Sequence, residues 1–348
     1  MRDVWFAIPG NLETLTGGYI YARRLIEELR RAGWRLHVIS LPSGFPRPAQ
    51  TELDLTRQAF ETLPEGAVVL VDGLAYGVFP QNILDGLNLN VVALVHHPLA
   101  LESGLPDVEA SRLCESEKAA LKNARIVVTT GPDTARTLAA HYDIPSAKLF
   151  VALPGTDPAS RSKGNGDIPR LLTVATLTYR KGHDVLVRAL ASVAELSWTS
   201  VWAGSMTREK NTTETIHSMI RFYGLEDRIE LQGEVAGDAL NDLYGQSDAF
   251  VLPSRHEGYG MAFAEALGHG LPIVACAAGA VPETVPADAS FLVPADNPDA
   301  LAAALRDLLS DAAKRKAMAD AAWAHGQRLP RWSDTAEAVA QALSAASL

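Results

Sequence analysis

Glu257 and Glu265 stand either side of seven residues, Gly258-Tyr259-Gly260-Met261-Ala262-Phe263-Ala264, a short way after the apolar run Ala249-Phe250-Val251-Leu252-Pro253. That run is short and closed by proline, which fits a strand buried on both faces. Met261 to Leu267 carries good helix formers after a Gly-x-Gly turn, so a strand, a turn and a helix are expected in that order. The free N–H groups and the positive end of the helix dipole then form a site for a diphosphate, which Gly258 and Gly260 let the backbone approach closely. Carboxylates beside phosphates would be repelled by them, so hydroxyl partners are expected for the two glutamates, ribose for one and a sugar for the other. The plainer alternative is a strand-to-helix turn with two solvated glutamates.

A cation belongs in the same chemistry, because charge builds on a diphosphate as it leaves. Lys181 follows the expected strand 171–177 at the carboxyl edge of a sheet, where ligands bind in open α/β folds, and Arg180 is its neighbour. The alternative for Lys181 is a surface lysine near a helix start. His96 and His97 follow the apolar stretch Val91 to Val95 and precede Pro98. Neither has the companion residues of a metal site and no Asp-x-Asp motif occurs, so no divalent metal is expected.

The elements that must carry these residues alternate between strand and helix. In the first half, strands are expected at 4–8, 35–41, 68–71, 91–95 and 126–129, with a helix at 18–31; in the second, strands at 171–177, 200–203, 229–231, 249–252 and 273–275, with helices at 184–195, 300–309 and 332–347. Such alternation implies parallel sheets wound on both faces. The polar run Ser160 to Gly166, inside 154–169, reads as a flexible crossing between halves. With 348 residues, 47% hydrophobic and 21% charged, the chain has material for two cores. The expected domains are 1–155 plus 331–348, and 156–330.

A net charge of −10 argues against nucleic acid as a partner. Arg23, Arg24, Arg30, Arg31 and Arg35 crowd the first helix, but Glu27 and Glu28 interrupt them, so a solvated face is preferred to a membrane contact. Cys114 and Cys276 are too few and too isolated for a disulfide framework and read as ordinary buried thiols. No apolar run reaches membrane-spanning length and the first residues lack a signal-peptide pattern, so a cytoplasmic, soluble chain is expected.

Read together, these motifs resemble the retaining glycosyltransferases of the family 4 type, which includes bacterial mannosyl-, glucosyl- and N-acetylglucosaminyltransferases. The resemblance rests on Gly17-Gly18, Pro154-Gly155-Thr156-Asp157, Lys181-Gly182-His183-Asp184, the paired glutamates, Gly270-Leu271-Pro272-Ile273-Val274-Ala275 and Gly279-Ala280-Val281-Pro282-Glu283, in that order. It implies the GT-B fold: two Rossmann-like doubly wound domains facing a central cleft, with the C-terminal helix crossing back to the first. It implies a nucleoside diphosphate sugar as donor and no resident cofactor. Glu265 would hold the ribose and Glu257 the transferred sugar, with Tyr259, Gly260 and Met261 around sugar and phosphates, Val235 near the base, Gly17 and Gly18 near the leaving phosphate and His96 facing the sugar. The family's arginine five residues before the lysine is replaced by Thr176, and Arg180 is the candidate substitute. Transfer would be metal-independent and retaining, by front-face substitution, to a small molecule or lipid headgroup met by loops 41–50, 73–81 and 99–108. An epimerase or phosphorylase of the same fold, or a silent binding module, are the rival readings.

Overall fold

The apolar runs become parallel strands covered on both faces. In the computed structural model, which describes residues 2–80, 82–102 and 104–347, the chain forms two units, Met1–Gly155 with Pro330–Leu348, and Thr156–Leu329. Of the loops expected to meet an acceptor, Gln81 and Ser103 lie outside the described residues, as do the chain ends Met1 and Leu348.

The first unit runs β1 (Asp3–Pro9), α1 (Gly17–Arg31), β2 (Arg35–Leu41), α2 (Gln50–Glu61), β3 (Val68–Asp72), α3 (Gly73–Tyr76), β4 (Asn90–Val95), α4 (Asp107–Asn123), β5 (Ile126–Thr129), α5 (Pro132–His141) and β6 (Leu149–Val151). Its strands pair in the order β2-β1-β3-β4-β5-β6. The second runs β7 (Arg170–Val174), α6 (His183–Ala191), β8 (Thr199–Ala203), α7 (Lys210–Phe222), β9 (Ile229–Gly233), α8 (Gly237–Gly245), β10 (Ala249–Leu252), α9 (Met261–Gly268), β11 (Ile273–Cys276), α10 (Val281–Thr284), β12 (Ser290–Val293), α11 (Pro298–Ser310) and α12 (Ala312–Gly326). Its order is β12-β11-β10-β7-β8-β9. The last helix, α13 (Trp332–Ala346), packs on α1 in the first unit, where Thr335 Oγ1 donates to the Leu153 carbonyl at 2.7 Å.

Side-chain alternation sorts the second unit's core into two layers. Ala249 and Val251 of β10 pack with α6, α7 and α11, whereas Phe250 and Leu252 pack with α9 and Tyr244 of α8. All four residues of β10 are therefore buried, as a strand covered on both faces requires.

Strands β6 and β12 are absent from the sequence expectation. Both are short sheet edges and mostly half-exposed, although Leu149–Val151 and residues 291–293 are apolar. Strand β7 ends at Val174 rather than Leu177, and α6 ends at Ala191 rather than 195, with Ser192 as its cap. The polar run 160–166, expected to be flexible, is pinned to its own unit. The Ser162 hydroxyl donates to the Gly245 and Ser247 carbonyls, and the Asn165 amide to Asp248. Several arginines of the first helix make local contacts, Arg23 with the Leu12 and Thr14 carbonyls and Arg31 with Glu28. Both cysteines are free, and Cys114 is half-buried rather than buried.

The ladder between β7 and β10 is short, Leu171 opposite Ala249 and Leu172 opposite Phe250. The fully buried Thr173 extends it, its hydroxyl donating to the Val251 carbonyl at 2.7 Å. Thr173→Val keeps the shape and strands that carbonyl, so it is expected to cost about 1–3 kcal/mol, read as a lower denaturant midpoint with unchanged slope for the second unit's transition.

Candidate active site

In the second sheet the strand order reverses between β7 and β10, and the helices that follow them, α6 and α9, lie on opposite faces. Such a reversal opens a crevice at the carboxyl ends of the two strands. Beyond β7 comes one turn of 3-10 helix, Tyr179–Lys181. Beyond β10 the chain passes Pro253, Ser254, Arg255 and Glu257 before α9 begins. The two segments meet closely at Gly182, whose φ of 70° lies in the left-handed region and where a Cβ would collide with the Pro253 carbonyl.

Glu257 is only 6% exposed. Its Oε1 accepts from Lys181 Nζ and from Ser254 Oγ, both at 2.6 Å, and its Oε2 from Arg180 Nη1 at 3.4 Å. Burial pushes the carboxyl upward, but the Lys181 and Arg180 cations and the Lys181 and Ser254 hydrogen bonds prevail and hold it at about 2. The solvated-glutamate alternative therefore fails at this position, and so does the surface-lysine alternative, since the Lys181 side chain is 16% exposed. Lys181 and Arg180 thus share one buried carboxylate at the crevice.

Gly258, Tyr259 and Gly260 form the turn, and Met261 opens α9. Gly260, at φ 89°, is the N-cap, and no side chain caps the helix; the Phe263 amide turns back to the Gly260 carbonyl at 2.9 Å, and the amides ahead of it have no capping side chain. The turn is backed from behind. The Ala280 amide donates to the Glu257 carbonyl at 2.9 Å, and the Thr284 hydroxyl to the Tyr259 carbonyl at 2.7 Å, which gives the motif at 279–283 a supporting part. Val235 follows β9 and packs partly buried on the same core layer as α9.

Glu265 sits in a different environment. It accepts from the Tyr244 hydroxyl at 2.8 Å. Burial raises its carboxyl to about 7, the Tyr244 bond lowers it and the Asp157 carboxylate raises it further. Tyr244 is itself buried, stacked on His269 with centroids 5.0 Å apart.

In the first unit the reversal falls between β1 and β3. Gly17 and Gly18 open α1 after β1, and a Cβ at Gly18 would lie 3.5 Å from His96 Nε2, so the helix backbone sits against the imidazole. Asp72, the last residue of β3, turns one carboxylate oxygen to the Leu74 amide at 2.9 Å and the other toward His96 Nε2 at 3.4 Å. Tyr21 meets the same ring edge-on at 5.3 Å, and Thr130 Oγ1 donates to the His96 carbonyl at 3.1 Å. His97 pairs instead with Glu102 at 3.2 Å.

The structure thus gathers Arg180, Lys181 and Glu257 into one cluster, sets Glu265 on the adjoining helix, and places Gly18 against His96 within the other unit. Sequence reasoning missed Ser254, Arg255, Tyr244 and Asp72. Asp72 ends an apolar strand, which marks it as facing the carboxyl edge; the other three have no local signature. Among the described residues no three or more His, Cys, Asp or Glu side chains gather as a metal set, and no helix is long and apolar enough to cross a membrane.

A doubly wound sheet with cations and an uncapped helix start at its reversal point defines an anion-binding α/β domain of the nucleotide-handling class. More particularly, residues 158–324, within the second unit, match the family model Glycosyl transferases group 1. A D-inositol 3-phosphate glycosyltransferase of Corynebacterium aurimucosum is 30% identical over 259 residues, 69% of this chain and 60% of that protein. The chain spans about three-fifths of the length of the curated relatives it matches. Sucrose-phosphate synthase from Thermosynechococcus elongatus superposes with a TM-score of 0.85 at 21% identity, covering 98% of each chain. The HepE protein of Anabaena, solved with UDP-glucose, gives 0.81 at 18% identity, covering 99% of this chain and 100% of that one. These likenesses establish the GT-B type of fold.

The raised Glu265 carboxyl fixes the sign of a pH effect. Between the ordinary carboxyl value of 4.5 and about 7 the folded chain keeps a proton that the unfolded chain has lost, so this group's contribution to stability falls as pH rises through that window. Glu265→Gln removes the titration. Relative to the parent chain, the variant is expected to gain stability steadily from about pH 5 to pH 7, measured as the difference in thermal midpoints. Glu117, raised to about 8 by burial, acts in the same direction in both proteins and cancels.

Proposed function

We propose that the chain is a retaining glycosyltransferase of the family 4 type that moves a hexosyl unit from a nucleoside diphosphate sugar to a hydroxyl of a small molecule or lipid headgroup. The observation that carries this reading is the Arg180–Lys181–Glu257 cluster at the β7/β10 crevice beside the uncapped start of α9. Cations and helix amides there suit the diphosphate, Glu257 a sugar hydroxyl and Glu265 the ribose. His96 enters the reading as the first unit's candidate group.

In the reaction the bond between the anomeric carbon and the diphosphate oxygen breaks and a bond to the acceptor oxygen forms on the same face. The acceptor's proton passes to the leaving diphosphate. Charge that builds on that diphosphate is met by the Arg180 and Lys181 cations and the α9 amides, preorganised before the chemistry begins. These cations supply what a divalent ion supplies elsewhere, which supports metal independence. The carboxyl pair also divides its labour. Glu257, at about 2, is an anion throughout the neutral range, whereas Glu265, at about 7, is partly protonated there and serves as donor as well as acceptor to a diol. A cytoplasmic location accords with a nucleotide-sugar donor. The Corynebacterium relative, by its name, glycosylates an inositol phosphate, and a phosphorylated polyol is the first acceptor class to try.

The test is thermal stabilisation by UDP, GDP and ADP and their hexose conjugates, in EDTA. One base is expected to stabilise selectively, by roughly 2.7 kcal/mol at about a hundred times its dissociation constant, and the cognate sugar nucleotide is expected to release nucleoside diphosphate when an acceptor is added. Lys181→Ala is expected to remove most of that stabilisation. Turnover of donor without acceptor would instead mark an epimerase. Silence toward every nucleotide would leave only a binding module.

A further inference from the structure

Arg255, in the segment after β10, makes directed contacts to the turn after β7, to α6 and to the connection after β12. Its side chain is 9% exposed. Nη1 and Nη2 bond both oxygens of Asp184 at 3.0 and 2.9 Å, Nε bonds Asp296 at 2.7 Å, and Nη1 also donates to the Tyr179 carbonyl. The guanidinium stacks 3.8 Å over the Tyr179 ring, and the Arg255 amide donates to the Arg180 carbonyl at 2.8 Å. Asp296 reaches it from a left-handed backbone at φ 55°, a conformation that aspartate adopts more readily than most residues with a side chain.

Every one of these contacts but those to Asp184 and Asp296 ends on the turn Tyr179–Lys181. Asp184 and Asp296 pair with the guanidinium, so Arg255 is engaged by the protein itself. Its neighbours Arg180 and Lys181 are thereby left as the cations aimed at Glu257. We propose that Arg255 is a positioning residue: a planar clamp that ties the Tyr179–Lys181 turn to the segment after β10 and so fixes both cations over Glu257 and over the diphosphate of the donor. The diphosphate clause rests on the reading given under Proposed function; the clamp itself does not. The clamp needs a planar fork, since a lysine offers a point charge that cannot bond Asp184 with two parallel donors while stacking on a ring.

The experiment compares the parent chain with Arg255→Lys and Arg255→Gln in two readouts. The first uses no nucleotide: acetylation of Lys181 by acetic anhydride, followed by mass spectrometry against the exposed Lys122 as internal reference. The second is affinity for the nucleoside diphosphate that stabilises the parent chain, set against the matching nucleoside monophosphate. Both variants are expected to raise Lys181 acetylation several-fold and to weaken diphosphate binding about tenfold, with monophosphate binding reduced less. Unchanged acetylation in both variants overturns the clamp, even if nucleotide affinity falls, because Arg255 would then touch the ligand directly. Protection retained in Arg255→Lys but lost in Arg255→Gln also overturns it, since charge alone would suffice. Raised acetylation in a protein whose parent chain binds no nucleotide upholds the clamp and sinks the transferase reading. If Arg255→Gln does not fold, Asp184→Asn carries the same expectation, as it weakens the bidentate pair while sparing the arginine.

Discussion

A carboxylate buried in a protein interior must be paired, and the second unit is organised around that demand at Glu257. An isolated ionised group there would be strongly penalised by the loss of its hydration. Removing one partner of such a pair commonly costs about 3–5 kcal/mol, because a charge is left uncompensated. Lys181, Arg180 and Ser254 meet the demand only because their segments lie within hydrogen-bond reach of the turn after β10. That proximity follows from the strand order, which sets β7 beside β10, and from Gly182, which lets one backbone press on the other. The short ladder and the Thr173 hydroxyl are therefore part of the site, though they touch none of its charges.

The two glutamates show how far environment separates chemically equal groups. They lie on one turn and one helix, yet Glu257 sits among cations and Glu265 beside a phenol and a second carboxylate, Asp157. Their titrations part toward about 2 and about 7, the pattern that gives one member of a pair a fixed charge and the other a mobile proton. Desolvation is the largest influence on both. What differs is the company, and that comes from elements distant in sequence: the turn before α6 in one case, α8 and the segment near Asp157 in the other.

This distance explains what the sequence could and could not show. Central strands such as 249–252 and 273–276 were legible because burial on both faces writes a continuous apolar run. The edge strands β6 and β12 were not: Leu149–Val151 and residues 291–293 are apolar, but runs of three residues do not separate strand from loop. Glu257, Lys181 and the Gly260 turn were legible through local motifs. Tyr244, Arg255 and Asp72 act through tertiary contacts 21, 71 and 24 positions away, to Glu265, Asp184 and His96, and no local pattern records such pairings. The left-handed Asp296 and the pinned run 160–166 were hidden for the same reason, since each is held by a partner from another part of the chain.

The same distinction bears on which half of the molecule can be read for chemistry. The candidate site combines backbone parts, the start of α9, a glycine turn and a strand reversal, with the Arg180, Lys181 and Glu257 side chains. The segment matching the family model, 158–324, is the unit that carries such a site. In the first unit the connections at the carboxyl edge carry polar side chains instead: Asp72 before the α3 turn, and the His96–His97 segment with Glu102. Identical folds can carry different side chains at such positions without strain. The structural neighbours resemble this chain at TM-scores of 0.85 and 0.81 while sharing 21% and 18% of its residues, so the frame is retained while most residues differ. The fold thus constrains the strand reversal and the turn at Gly260, and leaves the side chains on these connections free to differ.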